Sequence, residues 1–186
     1  MKYPPIVKVD EHGKVVGPIS YRKAHPLDIN TSGPRHTTTN ILIFKDSTCK
    51  KVLISLRSNI FMGNRWDSSA GGHILWINEK GKAATPEETA YKEVNEELFS
   101  GKGVPKDLRL EEICTFWKRT RLNDHELVHL FSGIYNGQLN HNSKEVSKVK
   151  FIGVDKLLKD TEKPSKNYTN SVGVCIRKYL ECMPNR

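Results

Sequence analysis

The chain has 186 residues, enough for one domain with a substantial core, and its 37% apolar and 27% charged content is that of an ordinary globular protein. No run approaches the ~20 consecutive apolar residues of a spanning helix, and no charged segment leads into an apolar one as in a secretory leader. The expectation is therefore a cytoplasmic protein with no membrane partner. A formal charge of +9 points to anionic partners, and it does not choose between a nucleotide phosphate and a nucleic acid.

In chain order, Ile6 to Asp10 and Val15 to Gly17 flank His12-Gly13 and predict a short hairpin. Ser20 to His25 suits a short helix, and Pro26 to Pro34 a loop, so residues 1–34 form an N-terminal extension. Arg35 to Phe44 and Val52 to Arg57 are β-rich runs on either side of Lys45-Asp46-Ser47, hence two strands joined by a turn. Asn59 to Arg65 reads as a loop, and Trp66 to Ile77 as extended chain that enters a longer loop over Ile74 to Ala84. A helix over Thr85 to Leu98 ends where Gly101 and Gly103 allow positive φ. Leu108 to Lys118 and Glu126 to Tyr135 are further strands with Asn123-Asp124 between them, followed by a turn at Asn136-Gly137. Val149 to Val154 is a short strand, Asp155 to Lys159 a brief helix and Asp160 to Lys166 a polar linker. In the final helix, residues 167–183, Val172, Cys175, Ile176, Tyr179 and Leu180 recur at helical spacing. Strand-rich sequence with one central and one terminal helix argues a single α+β domain over residues 1–186.

Cys49, Cys114, Cys175 and Cys182 show no C-x-x-C spacing and read as reduced thiols. The lysines near positions 144–150 and 156–166 lack interleaved aromatic residues and read as solvated charge.

The informative stretch is TPEETAYKEVNEEL, residues 85–98. Thr85 suits an N-cap, Pro86 the first helical position, and Glu88 completes a capping box. Ala90, Val94 and Leu98 make a buried stripe, while Glu93, Glu96 and Glu97 share a neighbouring face at i, i+3 and i+4. Two of these acids lie near the C-terminal end, where the helix dipole opposes them, and no Lys or Arg follows at i+4. A divalent cation would relieve the repulsion, and carboxylate oxygens are the ligands that Mg²⁺ and Mn²⁺ prefer.

This stretch resembles the Nudix hydrolase signature, G-x5-E-x7-R-E-U-x-E-E-x-G-U with U aliphatic. Lys92-Glu93-Val94-Asn95-Glu96-Glu97 matches its R-E-U-x-E-E core with lysine for arginine. Trp66-Asp67-Ser68-Ser69-Ala70-Gly71-Gly72-His73 is similar to the W-D-x-S-x-G-G-H run of the Nudix subgroup related to isopentenyl diphosphate isomerases. So are the opening VDEHGKVVG, Ala24-His25 and Arg35-His36. The resemblance implies a Nudix α/β/α sandwich with a mixed β-sheet and hydrolysis of a diphosphate linkage. It implies Mg²⁺ (or Mn²⁺) on Glu93, Glu96 and Glu97, which also carry the catalysis. The implied substrate is a phosphorylated, nucleotide-linked small molecule, bound near Arg57, Arg65, Gly71, Gly72 and His73.

The motif is degenerate. Its glycine falls on Asn78, so Gly72 lies early and the following loop is long; Ala84 stands for its first glutamate and Phe99 for its late glycine. Glu79, in the longer loop, is the candidate to replace the missing glutamate. In the isomerase-related subgroup two N-terminal histidines, the Gly-Gly-His histidine and an acidic pair hold a metal. His25, His36, His73, Asp124 and Glu126 stand at similar places and form a candidate second metal site. Asp124 and Glu126, two apart on a strand, share a face. His125 and His129 take the opposite face and a packing role. Arg57, Arg65 and Lys118 border the cleft either as phosphate contacts or as surface cations, and Trp66 and Trp76 read as core rather than base-stacking residues.

The favoured function is a Mg²⁺-dependent Nudix hydrolase acting on a nucleoside diphosphate derivative. The alternative is a Nudix-fold nucleotide-binding or regulatory protein without turnover. An isopentenyl diphosphate isomerase is disfavoured, because Gly71-Gly72-His73 replaces that family's C-S-H and neither glycine can protonate an alkene.

Overall fold

The computed structural model describes residues 3–28, 30–58, 63–121 and 124–184. The opening hairpin is β1 (Ile6–Val9) and β2 (Val15–Ile19), followed by the one-turn helix α1 (Tyr21–Ala24). Next come β3 (His36–Phe44), β4 (Lys51–Arg57), β5 (Trp66–Asp67) and β6 (Ala70–His73). The short strands β7 (Trp76–Ile77) and β8 (Lys82–Ala83) flank a 3₁₀ turn at Asn78–Lys80 and lead into α2 (Pro86–Phe99). The chain finishes with β9 (Leu110–Arg121), β10 (Asp124–Ile134), β11 (Val146–Gly153), α3 (Val154–Asp160) and α4 (Asn170–Cys182).

β3 organises the sheet. Its sequence, HTTTNILIF, is rich in β-branched and aliphatic residues and is buried along its whole length, as suits a strand covered on both faces. β10 runs parallel to it from Glu126↔His36 to Ile134↔Phe44, and β9 pairs antiparallel with β10. On its other side β3 meets β4 only at Phe44↔Val52. The two strands then part, and the next segment fills the gap, β5 pairing with β4 and β6 with β3. β11 extends the sheet beyond β4, and the β1–β2 hairpin extends it beyond the start of β3.

Each face of this mixed sheet carries helices. On one face Leu42, Phe44, Val52, Ile54 and Leu130 pack with Val172, Cys175, Ile176 and Tyr179 of α4. On the other, Ile41, Ile43, Leu53 and Phe131 pack with Ala90, Val94 and Leu98 of α2. Strand alternation thus sends even-numbered β3 residues to α4 and odd-numbered ones to α2, giving the expected α+β sandwich. No described helix is long and apolar enough to cross a membrane.

The capping box at α2 forms as expected: Glu88 N–H donates to Thr85 Oγ1 at 3.1 Å and Thr85 N–H donates to Glu88 Oε2 at 2.8 Å. The helix ends at Ser100, itself left-handed at φ 51°, before Gly101 and Gly103. The stretch from Ile74 to Ala84 is not the simple loop expected. β7 and β8 pair through Trp76↔Ala83 and Ile77↔Lys82, because Trp76, Ala83 and Ala84 have an apolar patch of Val7, Val9, Ile74 and Leu127 to cover. Trp76 is accordingly a packing residue, and Trp66 packs on the α4 side with Lys150 Nζ 4.0 Å from its ring centroid. Asp124 belongs to β10 rather than to the turn before it. Asn123 and residues 59–62 of the expected Asn59 to Arg65 loop lie outside the described residues.

Candidate metal centre and active site

Four elements bring the expected second set of ligands together. α1, N-capped by Ser20, delivers His25 at its C-terminal end. His36 opens β3, His73 closes β6, and Asp124 and Glu126 open β10. The three imidazoles form one compact group, with ring centroids 4.6 Å apart for His25–His36, 5.0 Å for His25–His73 and 5.3 Å for His36–His73. Ligating atoms of His25, His36 and His73 all lie within 4.8 Å of one another, and so do those of His36, Asp124 and Glu126.

His36 is the hinge between the two groups. Its side chain is 0% exposed. Nδ1 lies 3.1 Å from the Pro34 carbonyl and donates to it, which leaves Nε2 facing the cluster. That Nε2 is buried without a hydrogen-bond partner among the described residues, 3.8 Å from Asp124 Oδ1 and 4.0 Å from Glu126 Oε1. His25 and His73 face each other Nε2 to Nε2 at 2.9 Å, a contact that two lone pairs cannot hold without a proton or a cation between them. Burial, reinforced by the neighbouring imidazoles, pushes the His73 pKa well below 6.5 and lowers that of His25, which favours the neutral, ligating form. An orphaned buried nitrogen, neutral imidazoles and two carboxylates suit a divalent transition-type cation.

The glutamates of α2 occupy the other face. β6 separates the two sets: Gly71 and His73 point to the histidine side, and Gly72 to α2. A Cβ on Gly72 would stand 2.4 Å from Glu93 Cδ, so the glycine lets that carboxylate rest against the strand backbone. Glu97 is 7% exposed, and burial raises its pKa well above 4.5 although Arg57 opposes this. Glu93 is likewise raised by burial, against the pull of Lys92. Glu96 turns outward, 2.5 Å from Lys92 Nζ, which also lies 3.2 Å from Glu93. The repulsion on this face is therefore partly relieved by Lys92, four residues before Glu96, rather than by a cation that follows. The described groups of three or more ligating side chains close enough to hold one ion do not include these three glutamates.

Other expected contacts are distributed unevenly. Arg57 donates from Nη1 to Asp67 Oδ2 at 3.1 Å, and its charge faces Glu97, so it links the two faces at one end of the sheet. Arg65 is exposed and contributes its carbonyl to the Arg57 N–H. Glu79 is exposed on the 3₁₀ turn; the additional acid whose charge reaches both Glu93 and Glu97 is Glu145, just before β11. His129 pairs with Glu112 at 2.7 Å. Lys118, read as a phosphate contact or surface cation, is instead buried beside Glu126. Burial acts most strongly and lowers its pKa, but the surrounding groups, Glu126 foremost, together outweigh this and leave it raised. The β9–β10 register places it opposite Glu126.

A model of the NUDIX domain matches residues 34–171, from the start of β3 to the first turn of α4. The chain belongs to the NUDIX family. Among curated relatives, a protein of Aromatoleum aromaticum named isopentenyl-diphosphate Delta-isomerase 2 is 25% identical over 181 residues, which cover 95% of this chain and 87% of that one. Among solved structures, a Deinococcus radiodurans protein superposes with a TM-score of 0.67 at 18% identity, covering 94% of this chain and 97% of its own. The NUDIX domain of Shewanella oneidensis NrtR, solved with ADP ribose, gives 0.53 at 19% identity over 78% of this chain and 86% of that one. An Ap4A hydrolase of Caenorhabditis elegans gives 0.55 at 15% identity over 80% and 99%. These likenesses establish the Nudix fold.

Proposed function

We propose that this Nudix protein is a divalent-metal-dependent hydrolase that splits a diphosphate linkage in a nucleoside diphosphate derivative. The observation that carries this reading is the buried Nε2 of His36, without a hydrogen-bond partner among the described residues, at the junction of His25, His73, Asp124 and Glu126. These five side chains would hold one cation, and the α2 face with Glu93 and Glu97, joined by Glu96 on its release from Lys92, would take Mg²⁺ or Mn²⁺ together with substrate phosphates. A divalent cation there supplies positive charge for the diphosphate and lowers the pKa of a bound water. Glu97, its proton affinity raised by burial, suits a general base for that water, and Arg57 is placed to steady it. The Nudix structures named for ADP ribose and Ap4A support a nucleotide-linked substrate, and the absence of a membrane-crossing helix among the described residues agrees with a cytoplasmic pool.

The Aromatoleum relative favours a second reading, isomerisation of isopentenyl diphosphate. Gly71 opposes it: no thiol stands there, and a Cβ at this position would lie 2.7 Å from the Thr39 carbonyl oxygen. A Nudix-fold binding protein without turnover is the third reading, favoured by Ala84 and by the outward turn of Glu96.

A panel of nucleotide sugars, dinucleotides and nucleoside diphosphate derivatives, incubated with Mg²⁺ or Mn²⁺ and scored by product mass, separates these readings. The expected result is metal-dependent cleavage between phosphorus atoms, with most turnover lost in His36→Ala and in Glu97→Gln. Tight ligand binding with no product from any compound would establish the binding protein instead. Interconversion of isopentenyl and dimethylallyl diphosphate at an enzyme-like rate would establish the isomerase.

A further inference from the structure

Glu126 presents its two oxygens to different partners. Oε1 lies 4.0 Å from His36 Nε2 and belongs to the histidine cluster, whereas Oε2 is paired with the ammonium of Lys118. Lys118 reaches it from the facing strand β9, is 8% exposed, and donates also to Ser171 Oγ in the first turn of α4 at 3.0 Å. Ser171 passes its own proton to Asn40 Oδ1 at 3.3 Å, which also accepts from Ser68 Oγ at 2.8 Å. The ammonium is therefore anchored from below by the packed layer between β3 and α4, and cannot swing out to solvent without breaking that layer.

We propose that Lys118 is a built-in counter-ion of the metal centre. It occupies one oxygen of Glu126, restricts that carboxylate to single-oxygen ligation, and stands in for part of the positive charge that a bound ion brings. This inference rests on the metal-centre reading given above. Two carboxylates at side-chain exposures of 19% for Asp124 and 10% for Glu126 would be costly to bury together without a cation. Lys118 offsets one of them in the metal-free protein. The same charge then repels an incoming dication across a short, poorly hydrated distance, so the chain trades metal affinity for a metal-free state that stays folded.

The test is Mn²⁺ titration of the full chain after chelation, followed by calorimetry or by the electron spin resonance signal of free Mn²⁺, for wild type, Lys118→Met and Lys118→Gln. The class of sites in question is the one that disappears in His36→Ala. Both neutral variants are expected to bind Mn²⁺ in this class about tenfold or more tightly than wild type. Each should have a lower unfolding midpoint without metal and a larger rise on adding it. Gln keeps a donor for Glu126 and Ser171 but no charge, so wild-type affinity in Lys118→Gln alone would show that hydrogen bonding rather than charge matters, and would overturn the inference. Unchanged or weaker binding in both variants would overturn it as well. A variant that folds only with Mn²⁺ present supports it, because the ion then replaces the ammonium; a failure to fold with or without Mn²⁺ in both variants overturns it. If wild type has no Mn²⁺ class that His36→Ala removes, the metal centre itself is wrong and this inference falls with it.

Discussion

Gly71 and Gly72 are neighbours that answer to different faces of β6. A Cβ on Gly72 would meet only the far end of the flexible Glu93 side chain. Gly72→Ala should therefore fold almost normally, displace Glu93 and cut turnover about tenfold or more. Unchanged turnover would remove Glu93 from the chemistry. A Cβ on Gly71 would meet the fixed Thr39 carbonyl inside the sheet, so Gly71→Ala should cost about 1–3 kcal/mol of stability, read as a lower urea midpoint. The Glu93/Glu97 pair is legible in the sequence because i and i+4 positions on a helix are neighbours whatever the rest of the fold does. The outward turn of Glu96 is a choice made by Lys92, four residues before it, and helical spacing alone does not distinguish that ion pair from metal ligation.

At the scale of elements, α2 is the part most fully written in local sequence. Thr85→Ala should cost about 1 kcal/mol, measured by chemical denaturation. Glu88 adds a pH dependence. The Thr85 backbone N–H, with help from its hydroxyl, holds the Glu88 pKa below the ordinary 4.5. Its folded value is thus lower than its unfolded one, so its contribution is full above about pH 4.5 and is lost as pH falls through the folded value. The thermal midpoint of wild type should exceed that of Glu88→Ala near neutrality, and the gap should close as pH falls through the folded value. A gap that persists there would show that packing, not the cap, sets the difference. The β7–β8 hairpin is not legible in the sequence because two-residue strands carry almost no periodic signal and owe their form to the apolar patch beneath. Lys118 is hard to read for a related reason: β9 and β10 shift register at Asp124/His125, between the turn and the Lys118–Glu126 pair, so a plain count back from the turn misplaces its partner by one residue.

Across the whole molecule, the histidine cluster ties α1 to the central sheet, since His25 comes from the N-terminal extension and the other candidate ligands from β3, β6 and β10. Scanning calorimetry should show the unfolding midpoint rising on addition of Mn²⁺, with His25→Ala losing much of the rise. A rise undiminished in that variant would place the ion elsewhere. The cluster itself has no local spacing to read, because its members lie on four elements; only the family resemblance brought them forward. The parallel pairing of β3 with β10 has a kinetic corollary. Thr37 and Leu127, bonded side by side in that pair, are 90 positions apart in the chain, so this pairing closes a long loop and belongs late in folding. Asp124 and Glu126 reach the histidines only when it closes. A cation would therefore meet the full set of candidate side chains only once this pairing has formed. Mn²⁺ should leave the refolding rate nearly untouched and slow unfolding instead, making the metal a latch on a finished structure rather than a template for it.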